Sequence, residues 1–294
     1  MNRKVSRIVS CLMALLAVGV MLGVHFWLDY QRTEKKVAEK KALLESFGIE
    51  SDGRQDFVML PKILPHKATA AALGRDLFVD KRLAASPRRT CAACHWLNEG
   101  GTDGKLHGGV LTRPALNASF ATVYLNDGSL TNMEALVARM IEGETFSKGG
   151  ALSNIVEKLK LDSRLANRFQ IVYPEGLCVS NLVDAIVQFE RTLLSPTTAL
   201  DRFCGGEDGA LSEQQKVGME LFRQNCLNCH DGPVLGSRKM SEGQKVPALR
   251  GLSLRKIYLK EGSKSDLGAV LSLMPGRDWE AEERAAFVSF LKAL

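Results

Sequence analysis

Cys91-Ala92-Ala93-Cys94-His95 and Cys226-Leu227-Asn228-Cys229-His230 decide the reading of this 294-residue chain. Cys-x-x-Cys-His is the attachment sequence for c-type haem. The two thiols add to the haem vinyl groups, and the histidine that follows is placed to take an axial position on iron. Two other chemistries use closely spaced cysteines. A zinc site would need a partner Cys or His pair at ligand spacing around each motif, and none is present. A thioredoxin-like redox pair has no need of the adjacent histidine. The expectation is two covalent haems, held through Cys91, Cys94, Cys226 and Cys229, with His95 and His230 on iron.

Covalent haem attachment in bacteria takes place outside the cytoplasmic membrane, so the motifs predict an exported chain. Residues 8–28 are apolar except for Ser10, Cys11 and His25, and follow Arg3, Lys4 and Arg7. This run is long enough to span a bilayer, exceeds a typical signal-peptide core, and has no clear Ala-x-Ala site after it. It reads as an uncleaved signal anchor over residues 1–30, a transmembrane helix of the bacterial inner membrane with the haem domains in the periplasm. Ile8-Val9-Ser10-Cys11 has a faint likeness to a lipoprotein site, but the apolar run follows that cysteine instead of preceding it. Flanking charge points the other way, because Arg32, Lys35, Lys36, Lys40 and Lys41 follow the span. The haem argument outweighs that count, since cytoplasmic cysteines would not receive haem. The net charge of +6 is mild, and no basic stripe with interleaved aromatics suggests nucleic acid.

Beyond the anchor, residues 31–66 divide into a charged, Ala-rich helical stalk and a linker marked by Gly53, Pro61 and Pro65. Helical periodicity then recurs. Met133, Leu136, Val137, Met140 and Ile141 follow the i, i+3, i+4, i+7, i+8 pattern, as do Leu182, Ile186, Phe189 and Leu193. Ser212 with Gln215 makes a capping box ahead of Val217. Phe287, Phe290, Leu291 and Leu294 give a final amphipathic helix. No convincing alternating strand is present; Ile171-Val172-Tyr173 and the stretch near Tyr258 amount at most to short pairings.

The two halves repeat each other. Gly74-Arg75-Asp76-Leu77-Phe78 precedes the first haem motif, and Gly218-Met219-Glu220-Leu221-Phe222 the second. Pro114-Ala115-Leu116 answers Pro247-Ala248-Leu249. Tyr124-Leu125-Asn126-Asp127-Gly128 answers Tyr258-Leu259-Lys260-Glu261-Gly262. Met140 and Met274 each stand twelve residues after the matching glycine. The fold class is therefore all-α: cytochrome-c-like domains over 67–200 and 201–294, joined by a helix near 181–194, behind the N-terminal transmembrane helix. Cys178 and Cys204 flank that helix in an oxidising compartment and are candidates for a disulfide, which would require the chain to fold back.

These stretches together resemble the bacterial di-haem cytochrome c peroxidase/MauG family. The likeness is carried by 73–83 (Leu-Gly-Arg-Asp-Leu-Phe-Val-Asp-Lys-Arg-Leu), the first haem motif with Gly100-Gly101-Thr102-Asp103-Gly104, and 185–193 (Ala-Ile-Val-Gln-Phe-Glu-Arg-Thr-Leu). The resemblance implies reduction of hydrogen peroxide to water at the N-terminal haem. Electrons would enter through the C-terminal haem from a small c-type cytochrome, a cupredoxin or a quinol-linked donor. Two other readings stay open: a di-haem electron-transfer cytochrome with no small-molecule substrate, and oxidative modification of a partner protein as in the MauG branch.

The resemblance also assigns ligands. Met274 falls where the peroxidases carry the methionine of the C-terminal haem, and the MauG subgroup has tyrosine there. A thioether favours Fe(II) and raises the potential, which suits an electron-entry haem. His107 is the only histidine in the loop after the first motif, where the peroxidases carry a displaceable ligand, although this loop is shorter. Met140 is an alternative ligand by the repeat, or a core methionine by its place on the apolar stripe. Glu144 matches the peroxidatic-pocket carboxylate, an acid/base group for O–O cleavage, or is a solvated side chain. The pocket Gln is here Leu136. The inter-haem Trp is replaced within 125–129, unless Trp96 substitutes from another direction. The peroxidases also hold an interdomain calcium. Arg255 and Lys256 stand where its carbonyl ligands would be, so no calcium is expected.

Overall fold

The computed structural model of the protein describes residues 3–50, 55–259, 261–274 and 278–294, with side chains described outside 3–17 and Thr145. Two units separate by their internal packing: residues 1–46 with 50–55, and residues 47–49 with 56–294. The first is one helix, α1 (Arg3–Ser46). Its C-terminal part is the expected stalk, laced by Lys35–Glu39 and Lys41–Glu45 pairs at i,i+4. Among the described residues no helix is long and apolar enough to cross a membrane. The transmembrane span expected over 8–28 is therefore not found among them, and its first half falls on side chains outside the described ones.

The second unit takes almost all of its regular structure from helices, joined by long loops, and holds both halves of the repeat. In the first half, α2 (Ala68–Phe78) is followed by α3 (Cys91–Cys94), the two-residue strands β1 (Leu106–His107) and β2 (Val110–Leu111), and helices α4 (Met133–Glu142), α5 (Glu144–Ser147), α6 (Leu152–Lys160), α7 (Ser163–Val172) and α8 (Val179–Glu190). The second half has α9 (Ala199–Cys204), α10 (Glu213–Asn225), β3 (Met240–Ser241), β4 (Gln244–Lys245), α11 (Leu267–Leu271) and α12 (Ala281–Leu291). Both strand pairs are antiparallel hairpins. Ile171 and Val172 end α7 instead of pairing as a strand. Tyr258 does pair, through a single bridge to Lys264 that repeats the bridge from Tyr124 to Leu130.

Each half closes around one helix crossing, made possible by a glycine. A Cβ on Gly74 of α2 would run into the carbonyl oxygen of Ala185 in α8, and one on Gly218 of α10 into that of Ala286 in α12. Around the first crossing lies a core that includes Leu77, Val137, Ile141, Leu159, Phe169 and Ile186. The second core gathers Leu200, Leu211, Phe222, Leu271, Phe287 and Phe290. Ser212 and Gln215 form the expected reciprocal cap on α10. Phe287, Phe290, Leu291 and Leu294 are all buried, as the final amphipathic pattern required.

The segment ahead of α2, read as linker, is packed where it is described. Phe57 joins the second core against Phe222 and Phe290. Val58, Leu60 and Leu64 are buried as well. A buried ion pair, Arg250–Asp201 at 3.0 Å, fastens it: Asp201 accepts the N–H of Leu60 at 2.8 Å, and Arg250 donates to the carbonyl of Val58.

Between the halves the hairpin of each packs on the turn of the other. Met240 of β3 lies against Gly128, while Leu106 of β1 and Leu111 of β2 lie against Gly262. The N–H of Lys245 in β4 donates to the carbonyl of Asn126 at 2.7 Å, and that of Thr122 to Ser237 at 3.0 Å. Leu125 and Leu259 hold the left-handed region at matching positions, with φ of 60° and 65°. Bulky side chains avoid that region unless the surroundings impose it. The repeat thus extends to backbone strain.

Candidate haem centres

The first attachment motif is a single helical turn. Thr90 caps it, its hydroxyl accepting the N–H of Ala93 at 3.1 Å, so Cys91 and Cys94 emerge one turn apart on one face. His95 follows with its N–H bonded to the carbonyl of Cys91 at 2.9 Å. Its Nδ1 meets the carbonyl of Gly101 at 3.2 Å, and the ring lies 6.3 Å from that of Phe78. Gly100 and Gly101 both hold positive φ, and a Cβ on Gly101 would strike the backbone of Leu116. The Gly-Gly pair is thus the local reason the loop turns tightly enough to present that carbonyl.

The second motif leaves the end of α10, whose last turn is closed by Cys226. The N–H of His230 bonds the Cys226 carbonyl at 2.8 Å, its Nδ1 meets the carbonyl of Leu235 at 3.1 Å, and its ring lies 6.3 Å from Phe222. Both imidazoles thus carry the same arrangement: Nδ1 engaged by a backbone carbonyl, Nε2 left for iron. Carbonyl partners of this kind fix the tautomer and orientation of a ligating histidine. Burial lowers the pKa of both rings, which favours the neutral, iron-binding form.

The surroundings of Cys91 and Cys226 give a thiolate no support. Burial first, then the charge of Glu190, pushes Cys91 up to about 12, and burial pushes Cys226 up to about 11. A reactive dithiol needs a lowered pKa. Thiols destined to become neutral thioethers need no thiolate stabilisation in the fold. The donor set and its surroundings fit c-type haem at both motifs.

The remaining candidates separate. His107 sits in β1, partly exposed; its Nε2 is 2.8 Å from Asp103 Oδ2 and 3.8 Å from Cys94 Sγ. Burial works against the Asp103 carboxylate, but the hydrogen bonds from His107 and the N–H of Lys105 hold its pKa below the ordinary value. The matching position in the second hairpin is Ser241. Met274 follows α11 and is 40% exposed, next to residues 275–277, which lie outside those described. Met140 is 50% exposed, so the core reading fails for it. The buried stripe of α4 is Met133, Val137 and Ile141, with Leu136 packed beside it. Glu144 opens α5, exposed. Trp96 donates to the carbonyl of Ala93 at 3.2 Å beneath Lys105, on its own loop. Asn126 accepts from the Arg113 side chain of its own half and from the Lys245 N–H of the other. Cys178 and Cys204 are unbonded.

Glu190, at the end of α8, escaped the sequence reading although it stands in the Phe-Glu-Arg-Thr stretch. Burial lifts its carboxyl to about 7, and its charge acts on both Cys91 and Tyr124. It is a protonatable group beside the first attachment cysteine.

Comparison with known proteins follows the same outline. The family profile described as di-haem cytochrome c peroxidase matches residues 68–209. Cytochrome c peroxidase Ccp of Escherichia coli K12 is 30% identical over 278 residues, which cover 80% of this chain and 60% of that protein. Methylamine utilization protein MauG of Methylorubrum extorquens is 29% identical over 254 residues, 74% of this chain and 72% of that one. Among solved structures, a MauG-like protein associated with microbial copper homeostasis superposes with a TM-score of 0.66 at 19% identity, covering 78% of this chain and 90% of that one. At that identity the superposition speaks for the fold alone.

Proposed function

The chain belongs to the di-haem cytochrome c peroxidase/MauG family, and from that premise we propose that it is a periplasmic peroxidase, tethered to the inner membrane by residues 8–28. It reduces hydrogen peroxide at the N-terminal haem, with electrons from a small c-type cytochrome, a cupredoxin or a quinol-linked donor entering at the C-terminal haem. The observation that carries this reading is asymmetry on a common frame. The hairpin after the first motif bears His107, braced by Asp103, and the equivalent hairpin bears Ser241. One hairpin thus has a histidine and the other does not.

When bound, the haems supply the iron and the electrons for peroxide cleavage. The chain holds each haem by two thioethers and a carbonyl-braced histidine. Met274 would be a further side-chain ligand for the C-terminal haem. Asp103 holds His107 in the loop through their hydrogen bond. Protons come from a carboxyl at the first site. Glu190 is suited by burial, because a carboxyl titrating near neutrality can give and regain a proton, and Glu144 is the family's candidate.

One observation favours the electron-transfer alternative. Met140 lies outside the core, at the repeat position of Met274. Ligation there would close the first iron. Peroxide turnover by the half-reduced protein separates the two. Fast turnover unaffected by Met140→Ala supports the peroxidase. A wild type without turnover that gains peroxide reactivity in Met140→Ala overturns it.

A further inference from the structure

Three cations, Arg113, Lys245 and Arg255, converge between the two haem motifs. Arg113 is partly buried; its guanidinium donates to the side-chain oxygen of Asn126, and its own carbonyl acts on the His95 ring. Lys245, from the other half, lies with its ammonium 5.8 Å from the centre of the Tyr124 ring, and its N–H is bonded to Asn126. Two residues on, the carbonyl of Pro247 acts on the His230 ring. Arg255 reaches back to the carbonyl of Ala248 at 2.9 Å, in the same loop. The charge of Glu261 acts on Arg113.

Such an arrangement is costly. Burial first, then the neighbouring Arg113, pushes Lys245 down to about 8, and burial pushes Arg255 down to about 10. Partly buried cations that gather like charge are destabilising unless an anion meets them. A fold that brings three of them together from two halves of the chain is organised for an anion. The anion must fit between the sites at His95 and His230. Haem joined through its vinyl groups keeps both propionate carboxylates, which would supply such an anion.

Resting on the di-haem reading, we propose that Arg113, Lys245 and Arg255 form a bridge for haem propionates between the two centres. The bridge neutralises haem carboxylates with charges built into the chain, and it couples the potentials of the two irons to the contact between the halves. A nearby positive charge favours the reduced iron, so its removal lowers the midpoint potential.

The test is spectroelectrochemical titration of the di-haem protein, as wild type, Lys245→Gln and Lys245→Arg, in phosphate and in phosphate-free buffer. Lys245→Gln is expected to shift at least one haem's redox equilibrium about tenfold toward the oxidised form, 59 mV for one electron. Lys245→Arg is expected to keep the wild-type potential, and the buffer to make no difference. Two haems with unchanged potentials in Lys245→Gln overturn the bridge and leave the di-haem reading standing. A wild-type potential that follows phosphate, with Lys245→Gln insensitive to it, assigns the cations to a free anion and also overturns it. A chain that carries no second haem overturns both.

Discussion

Asp201→Ala should be among the most damaging substitutions outside the two attachment motifs. The Asp201 carboxylate is 2% exposed and faces an Arg250 side chain that is fully buried. One oxygen takes the Leu60 N–H at 2.8 Å and Arg250 at 3.0 Å; the other takes the Thr198 N–H at 2.9 Å and hydroxyl at 2.8 Å. Removing one partner of a buried pair costs about 3–5 kcal/mol, because the other charge is left uncompensated. Each orphaned donor adds about 1 kcal/mol or more, with overlap among them. A total of about 5 kcal/mol is comparable to the whole stability of a marginal domain. Arg250 also anchors Val58 and stands in the loop whose Pro247 carbonyl acts on His230. Urea unfolding of the holoprotein should therefore show the loss, and limited proteolysis should speed up between 55 and 66. Asp201→Ala with Arg250→Met removes both charges and should recover about 2 kcal/mol or more relative to the sum of the single variants. A single variant within about 1 kcal/mol of wild type, or strict additivity in the double variant, would refute the reasoning.

Glu190→Gln tests burial at the first site through pH. Its folded-state pKa is raised from 4.5 to about 7, so its contribution is fully present below about 4.5 and lost as pH rises through about 7. The loss is about 3 kcal/mol at 1.36 kcal/mol per unit. The variant should flatten that fall in pH-dependent urea unfolding, and an unchanged profile contradicts the assignment. Gly74→Ala and Gly218→Ala should each cost about 2–3 kcal/mol by thermal unfolding, since the new Cβ meets a helix backbone that cannot step aside. Gly209→Ala, with open space around it, is the neutral control. Met274→Ala should lower the potential of one haem and open its sixth position by optical and EPR spectra; unchanged spectra would remove Met274 from the iron. Leu106→Ala should weaken the dependence of peroxide reactivity on reduction of the second haem, by stopped-flow mixing of fully oxidised and half-reduced protein; equal dependence in variant and wild type breaks that link.

The frame around each haem was legible because it is written locally and twice. The attachment motifs, the glycine four residues ahead of each phenylalanine, the Ser212–Gln215 cap and the Tyr-Leu-x-x-Gly turns all depend on short spacings. What escaped depends on distant partners or on lengths too short to carry a pattern. A two-residue strand has no alternation to detect, so the hairpins at 106–111 and 240–245 left no period. Met140 shares the helical stripe of Met133 and Val137 by spacing, yet only three-dimensional packing tells that it falls beyond the edge of the buried arc. Glu190 reads as an ordinary charged helix end until α8 is seen to terminate beside Cys91. Phe57 and Leu60 sit among turn residues and look like linker, because Asp201 and Arg250, which hold that segment, lie more than a hundred residues away.

The same long-range packing bears on how two haems on one frame could act in sequence. His107 belongs to β1, and its neighbour Leu106 rests on Gly262 of the opposite half. Gly262 closes the turn that begins at Tyr258, and the short helix α11 leads from there to Met274. Leu106 thus ties the hairpin of His107 to a turn of the opposite half, and the chain runs on from that turn through α11 to Met274. On the other side the contact is different in kind. Met240 rests on Gly128, and Lys245 reaches over Tyr124. That side carries charge and no loop histidine. The interface thus repeats in backbone but differs in chemistry: one contact is apolar and adjoins His107, and the other carries Lys245. An aromatic bridge at Asn126 would occupy the ground that Arg113 and Lys245 now share. On the bridge proposed above, charge from both halves would stand where the resemblance places an aromatic.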